Sequence, residues 1–184
     1  DVAVVALNDG APERRVVVPK YLGYRLKEHQ VEAARFLYDQ TVESLDLLED
    51  PDADAFGCVL AHSMGLGKTL TCIAYMAALL KDPAARRRVR TCLVVCPTNV
   101  VRNWAAEFRK WCGRDRHLVG RVVVVDRGAR SRVDALETWQ RLGGVCVVGY
   151  DFFHALVGKR GEKKRKRKKK MDLAALLDAG VVEA

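Results

Sequence analysis

One octapeptide, His62-Ser63-Met64-Gly65-Leu66-Gly67-Lys68-Thr69, constrains this chain more than any other stretch. It follows an apolar run, Gly57-Cys58-Val59-Leu60-Ala61, and precedes apolar residues at helical spacing (Leu70, Ile73, Ala74, Ala77, Leu80). A strand, a glycine-bearing turn and a helix N-terminus in that order make a phosphate cradle. Gly65 and Gly67 let the backbone fold tightly, so that several N–H groups face one anion. The helix dipole adds partial positive charge at the same point. Lys68 is the residue expected to reach the β- and γ-phosphates, and Thr69 the one to put its hydroxyl on Mg2+. The expected ligand is a nucleoside triphosphate. The general pattern G-x-x-x-x-G-K-[ST] has glycine where this chain has His62. His62 is read as a turn residue rather than a catalytic base.

The chain has 184 residues, enough for one domain with a real core. It starts with Asp rather than Met, which suggests a segment of something longer. No apolar run approaches the roughly 20 residues needed to span a bilayer, and no signal peptide is visible. The six cysteines, at positions 58, 72, 92, 96, 112 and 146, include no C-x-x-C and no metal-ligand spacing. Reduced, buried thiols are expected, in keeping with a cytosolic or nuclear protein. The net charge of +9 is unevenly held: residues 159–170, KRGEKKRKRKKK, carry ten basic and one acidic group. Removing them from the 32 basic and 23 acidic residues leaves 22 of each. The rest of the chain is therefore neutral overall, and the high pI is poor evidence that the fold itself binds nucleic acid.

Residues 1–19 alternate Val/Ala runs around Asn8-Asp9-Gly10, a hairpin signal. Residues 25–40 have a helical apolar face (Leu26, Val31, Ala34, Phe36, Leu37), with a second helical stretch continuing to Leu48 and a loop at 51–54 before the first central strand. The helix after the glycine loop should run to about Lys81, where Asp82-Pro83 ends it. Further strands are expected at 91–96, 122–125 and 145–148, and helices at about 100–111 and 131–142. The aromatic residues of the 100–111 helix read as core. Continuous apolar strands alternating with helices indicate an α/β domain with a mainly parallel sheet. Residues 159–170 read as a disordered, self-repelling loop, and Asp172 as the cap of a last helix through about Leu177.

Four segments together resemble the Swi/Snf-type ATPases of helicase superfamily two, within them the ATRX-like subgroup. The first is Tyr24-Arg25-Leu26-Lys27-Glu28-His29-Gln30, similar to the family's L-x-x-x-Q segment. The second is Gly57 to Thr69; a His before Ser-Met-Gly-Leu-Gly-Lys-Thr, where most of the family has Asp-Glu, resembles the ATRX-like branch. The third is Leu93-Val94-Val95-Cys96-Pro97 with Asn103-Trp104, Glu107-Phe108 and Lys110-Trp111; the fourth is Val145 to Asp151. The resemblance covers about residues 21–157. It implies a RecA-like P-loop NTPase lobe over 21–184, incomplete at its C-terminal end, behind an N-terminal extension at 1–20.

By that resemblance the parent protein couples ATP hydrolysis to movement along double-stranded DNA in chromatin, in the nucleus. Gln30 would read the adenine edge and Arg25 would lie against the base. Met64, Gly65, Leu66, Gly67, Lys68, Thr69 and Leu70 would hold the nucleotide, with Lys68 and Thr69 the catalytic pair and Thr69 on Mg2+. Pro97, Thr98, Asn103, Gly149 and Tyr150 would face a DNA strand along its phosphates, giving affinity without sequence specificity. Chromatin proteins are further implied partners. The family's acidic Asp-Glu-x-His motif should follow another strand, which Val181-Val182-Glu183 would begin, and the second lobe with its arginine finger lies elsewhere. This segment alone is therefore expected to bind nucleotide weakly and to turn over little. Asp126, at the end of an apolar strand, imitates an acidic metal motif but is followed by Arg127; Asp151 reads as a helix cap.

Other readings compete. A degenerate P-loop module could bind chromatin through its basic run without catalysis, and an RNA helicase of the same superfamily would share the loop. The run at 159–170 itself fits a solvated loop, a nuclear import signal or a tether to DNA phosphates.

Overall fold

The computed structural model describes residues 4–8, 14–50, 52–53, 56–113, 118–125, 132–158 and 181–183. Asp126, the basic run and the helix expected after Asp172 lie outside the described residues. The chain divides into two compact units, Asp1–Val89 with Glu107–Val119, and Arg90–Ala106 with Gly120–Ala184.

In the first unit the N-terminal pairing expected of a hairpin is present. Ala6 and Val17 form an antiparallel bridge, flanked by Leu7 N–H to Val16 C=O at 2.8 Å and Val18 N–H to Val5 C=O at 2.9 Å. The Asn8 amide ties the two arms: its Oδ1 accepts from Val16 N–H at 2.8 Å and its Nδ2 donates to Arg14 C=O at 2.9 Å. The turn residues Asp9 and Gly10 are outside the described set. Then come α1 (Lys20–Gly23), α2 (Glu28–Thr41), α3 (Leu45–Glu49) and α4 (Lys68–Lys81). Ser44 caps α3 by accepting from Leu47 N–H at 3.1 Å, the arrangement that satisfies an otherwise orphaned first-turn donor. Helix α4 packs against α2. It buries Leu70, Thr71 and every residue from Ile73 to Leu80, as a helix enclosed by protein must when it is apolar on all sides. It stops where expected. The Asp82 carboxylate turns back onto the N–H groups of Ala84 and Ala85 at 2.9 and 2.8 Å, starting a 3-10 turn at Ala85–Arg87.

One expectation fails here. Gly57–Ala61 is not a strand: among the described residues it takes part in no strand pairing, and Val59 is 81% exposed. An apolar run creates a demand for burial. A strand forms only when a neighbour supplies the ladder hydrogen bonds, and no described segment does so for this run.

The second unit is built on β1 (Thr91–Cys96), β2 (Val122–Val125), β3 (Gly144–Gly149) and β4 (Val181–Glu183). The sheet order is β2-β3-β1-β4 and every pairing is parallel. The expected strand at the C-terminal end is thus present as β4, with Val94 opposite Val182. Helix α5 (Val101–Cys112) follows β1, α6 (Arg132–Leu142) links β2 to β3, and α7 (Tyr150–Gly158) follows β3 directly. Because strand side chains alternate, Leu93, Val95, Val125, Cys146 and Val148 share one face. Leu136 and Trp139 of α6 bury against them, with Phe152, Phe153 and Leu156 of α7 alongside. The Trp139 indole N–H is satisfied inside this core by Gly144 C=O at 2.9 Å. The opposite face (Cys92, Val94, Val145, Val147) is buried too. Burial on both faces is why these strands read as unbroken apolar runs. The α/β fold with a parallel sheet is therefore observed, consistent with a RecA-like lobe.

Candidate functional site

The glycine loop sits in the first unit. Gly65 (φ +84°) and Gly67 (φ +78°) both adopt the left-handed conformation that the turn requires. Gly67 is the N-cap of α4, so no side chain caps the helix, and its first turn holds no acidic residue. The N–H groups of a first helical turn have no intrahelical acceptors. With neither a capping oxygen nor a carboxylate at hand, this terminus is open to an external anion. The Lys68 ammonium folds back over the loop, donating to His62 C=O at 2.6 Å and Ser63 C=O at 3.2 Å. An ammonium has three N–H donors, so a third remains for a phosphate oxygen. Thr69 is half-buried beside it, Leu70 is buried, and Met64 stands at the tip, 95% exposed. These features fit a polyphosphate: a cation, uncapped amides and a tight left-handed turn.

Gln30 lies 4% exposed at the start of α2. Its Oε1 accepts from Lys27 N–H at 2.9 Å and its Nε2 donates to Gly67 C=O at 3.1 Å. Gln30, expected from the sequence to read the base, thus sits directly against the glycine loop. A primary amide has a second N–H and a second lone pair, which an adenine edge could use. Arg25 lies over the Tyr21 ring, 3.8 Å from its centroid, and donates to Tyr21 C=O at 2.6 Å. One neighbour of this loop has no signal in the sequence. His29 Nε2 is 3.1 Å from Leu66 C=O, and its ring meets His62 edge-on with centroids 5.9 Å apart. The separation of 37 positions between His29 and Leu66 hides that contact from any local pattern.

In the second unit the parallel register sets Cys96 opposite Gly149. The segments that leave the carboxyl ends of β1 and β3, Pro97-Thr98 and Gly149-Tyr150, therefore lie side by side. The Thr98 hydroxyl donates to the Asp151 carboxylate at 3.1 Å. A Cβ at Gly149 would come within 2.6 Å of that hydroxyl, so glycine permits the close approach. Asp151, read from the sequence as a helix cap, is the second residue of α7, and its carboxylate accepts from the Thr98 hydroxyl rather than from a helix N–H. Asn103 is exposed on α5, and Tyr150 is 42% exposed at the start of α7. Four of the five expected strand-facing residues are thus gathered at one sheet edge, with Asn103 one helical segment further on. Among the described residues no three His, Cys, Asp or Glu side chains gather as a metal site.

Comparison with known proteins shows the family. Residues 29–178 match the SNF2-related domain. The chain is 35% identical over 151 residues to Protein CHROMATIN REMODELING 20 of Arabidopsis thaliana, covering 82% of this chain and 10% of that protein. It is 35% identical over 178 residues to Transcriptional regulator ATRX of Mus musculus, covering 94% and 7% respectively. Against Helicase ARIP4 of Homo sapiens it is 32% identical over 194 residues, covering 95% and 13%. The chain thus spans only about a tenth of the length of these relatives. With its glycine loop, parallel sheet and matched residues, the chain belongs to the SNF2-related domain family.

Proposed function

We propose that this chain is the nucleotide-binding lobe of an ATP-dependent translocase that moves along double-stranded DNA in the chromatin of the nucleus. The observation that carries this reading is the uncapped N-terminus of α4, with Lys68 folded across the loop in front of it, in a chain of the SNF2-related family. Lys68 and the amides from Gly65 to Leu70 hold the phosphates, and Thr69 offers a hydroxyl to Mg2+. Phosphoryl transfer depends mainly on positioning and charge compensation, which is what a preformed cradle and a held ammonium supply. Gln30 meets the adenine edge, and Arg25, stacked on Tyr21, flanks the base. Pro97, Thr98, Asn103, Gly149 and Tyr150 face the DNA strand. Because Thr98 gives its one hydroxyl proton to Asp151, its backbone N–H is the donor left for a phosphate. The relatives' names, a chromatin remodelling protein and a helicase among them, support a chromatin substrate.

The test is DNA-stimulated ATP hydrolysis by the full-length protein. Lys68→Ala should abolish it, along with binding of a fluorescent ATP analogue. Turnover that survives the substitution would rule the reading out. Stimulation by duplex RNA but not duplex DNA would move the assignment to an RNA helicase. Absence of turnover in the intact wild-type protein with DNA, with chromatin binding retained, would favour a non-catalytic module.

A further inference from the structure

Two neighbouring side chains of α2 hold two consecutive carbonyls of the phosphate loop. His29 Nε2 meets Leu66 C=O at 3.1 Å, and Gln30 Nε2 meets Gly67 C=O at 3.1 Å. A trans peptide points its C=O and its N–H in opposite directions. Fixing the Leu66 carbonyl on the α2 side therefore turns the Gly67 N–H the other way. Fixing the Gly67 carbonyl does the same for the Lys68 N–H. Both amides belong to the set that faces an anion at the start of α4.

The two anchors are not equivalent. Gly67 C=O also accepts from Thr71 N–H at 3.1 Å, so the helix itself helps to hold it. For Leu66 C=O, His29 is the partner among the described residues. Since a carbonyl can only accept, the His29 tautomer must carry its proton on Nε2. The same ring packs edge-on to His62, planes 66° apart, and His62 is the residue whose carbonyl receives Lys68 Nζ. His29 thus touches the loop on both sides of Gly65, once through a hydrogen bond and once through ring contact.

We propose that His29 is a positioning residue of the nucleotide site. It presets the Gly67 amide through Leu66 and steadies the His62 end that anchors the Lys68 ammonium. The proposal rests on the nucleotide-binding reading above. A loop held in its binding geometry before the ligand arrives spends less free energy on ordering when it binds. Removing the anchor should therefore appear in affinity, as uniform binding does, and not in the chemical step.

The experiment uses full-length protein with duplex DNA and Mg2+, titrated with a fluorescent ATP analogue and assayed for steady-state turnover. His29→Phe keeps a ring against His62 and removes the donor. It should raise the analogue's Kd and the KM for ATP by about fivefold, the worth of one neutral hydrogen bond, with kcat within about twofold of wild type. His29→Gln, whose amide can donate to Leu66 C=O, should recover most of the affinity. The Tm without nucleotide should stay at the wild-type value in both. A wild-type Kd in His29→Phe overturns the proposal. So does an affinity loss that His29→Gln fails to recover, or one matched by a fall in kcat. Should His29→Phe not fold, His29→Ala beside His29→Gln gives the same comparison. Lys68→Ala separates the two levels. If it binds the analogue like wild type, the nucleotide-site reading falls. If it loses binding while His29→Phe does not, only the His29 assignment falls.

Discussion

At Gly67 the backbone is left-handed (φ +78°), and the Gln30 amide nitrogen occupies the place a Cβ would take. Gly65 is equally left-handed (φ +84°), yet a Cβ there meets nothing within 4 Å. The two glycines share a backbone conformation, yet their surroundings differ. Gly65→Ala should cost only the conformational penalty of a non-glycine residue in that region, about 1–2 kcal/mol. Gly67→Ala should cost more and also displace Gln30, so that affinity for an ATP analogue falls together with stability. Adding Gln30→Ala to Gly67→Ala should restore part of the stability, because it removes the overlap and leaves the backbone term, but not the affinity, because the adenine contact goes with the amide. Denaturation midpoints and analogue titrations of the three variants check this. Equal effects from the two glycines would contradict the placement of Gln30.

At the level of elements, the parallel sheet is the part of the chain whose apolar runs and neighbours agree. The buried thiols of the sheet and of α4 record what burial does. Burial pushes Cys92 in β1 and Cys146 in β3 up to about 12, and burial first, with the nearby Cys58 thiol second, pushes Cys72 in α4 up to about 11. Tyr38 in α2 rises to about 12, through burial first and then Asp82 and Asp39. All four groups lose their protons earlier in the unfolded chain than in the folded one. Between the ordinary thiol value and about 12, the unfolded state therefore binds fewer protons, and stability falls as pH rises. The stabilisation is fully present below that window. Urea unfolding midpoints should be lower at about pH 10.5 than at about pH 8, and Cys92→Ala with Cys146→Ala should shrink the difference. A midpoint unchanged across that range would mean that the strands admit water.

For the protein in its entirety, charge and fold are separate properties. Residues 159–170 hold the entire net charge of +9, and the remainder balances at 22 basic and 22 acidic groups. If the run tethers the parent protein to DNA, its deletion should flatten the dependence of DNA affinity on salt, by up to about 0.9 in log–log slope for each phosphate that is no longer neutralised. Nucleotide affinity should not change. An unchanged slope with the protein displaced from the nucleus would favour an import signal instead. The strands, α2, α4, α5, α6 and the end of α4 at Asp82 were legible in the sequence, because period and punctuation are local properties of a chain. The glycine loop and the helix start at Lys68 were legible for the same reason: the residues that set them lie within eight positions of one another. Gly57–Ala61 misled because apolarity reports a wish for burial and not the presence of a ladder partner. Helix α7 was visible only as a cap at Asp151. Residue order was enough to specify the α/β class, the glycine loop and the family. Folding alone established that His29 and Gln30 grip consecutive loop carbonyls and that Asp151 claims the Thr98 proton. Those contacts join residues 37 and 53 positions apart, and only the folded backbone sets the direction in which each donor points.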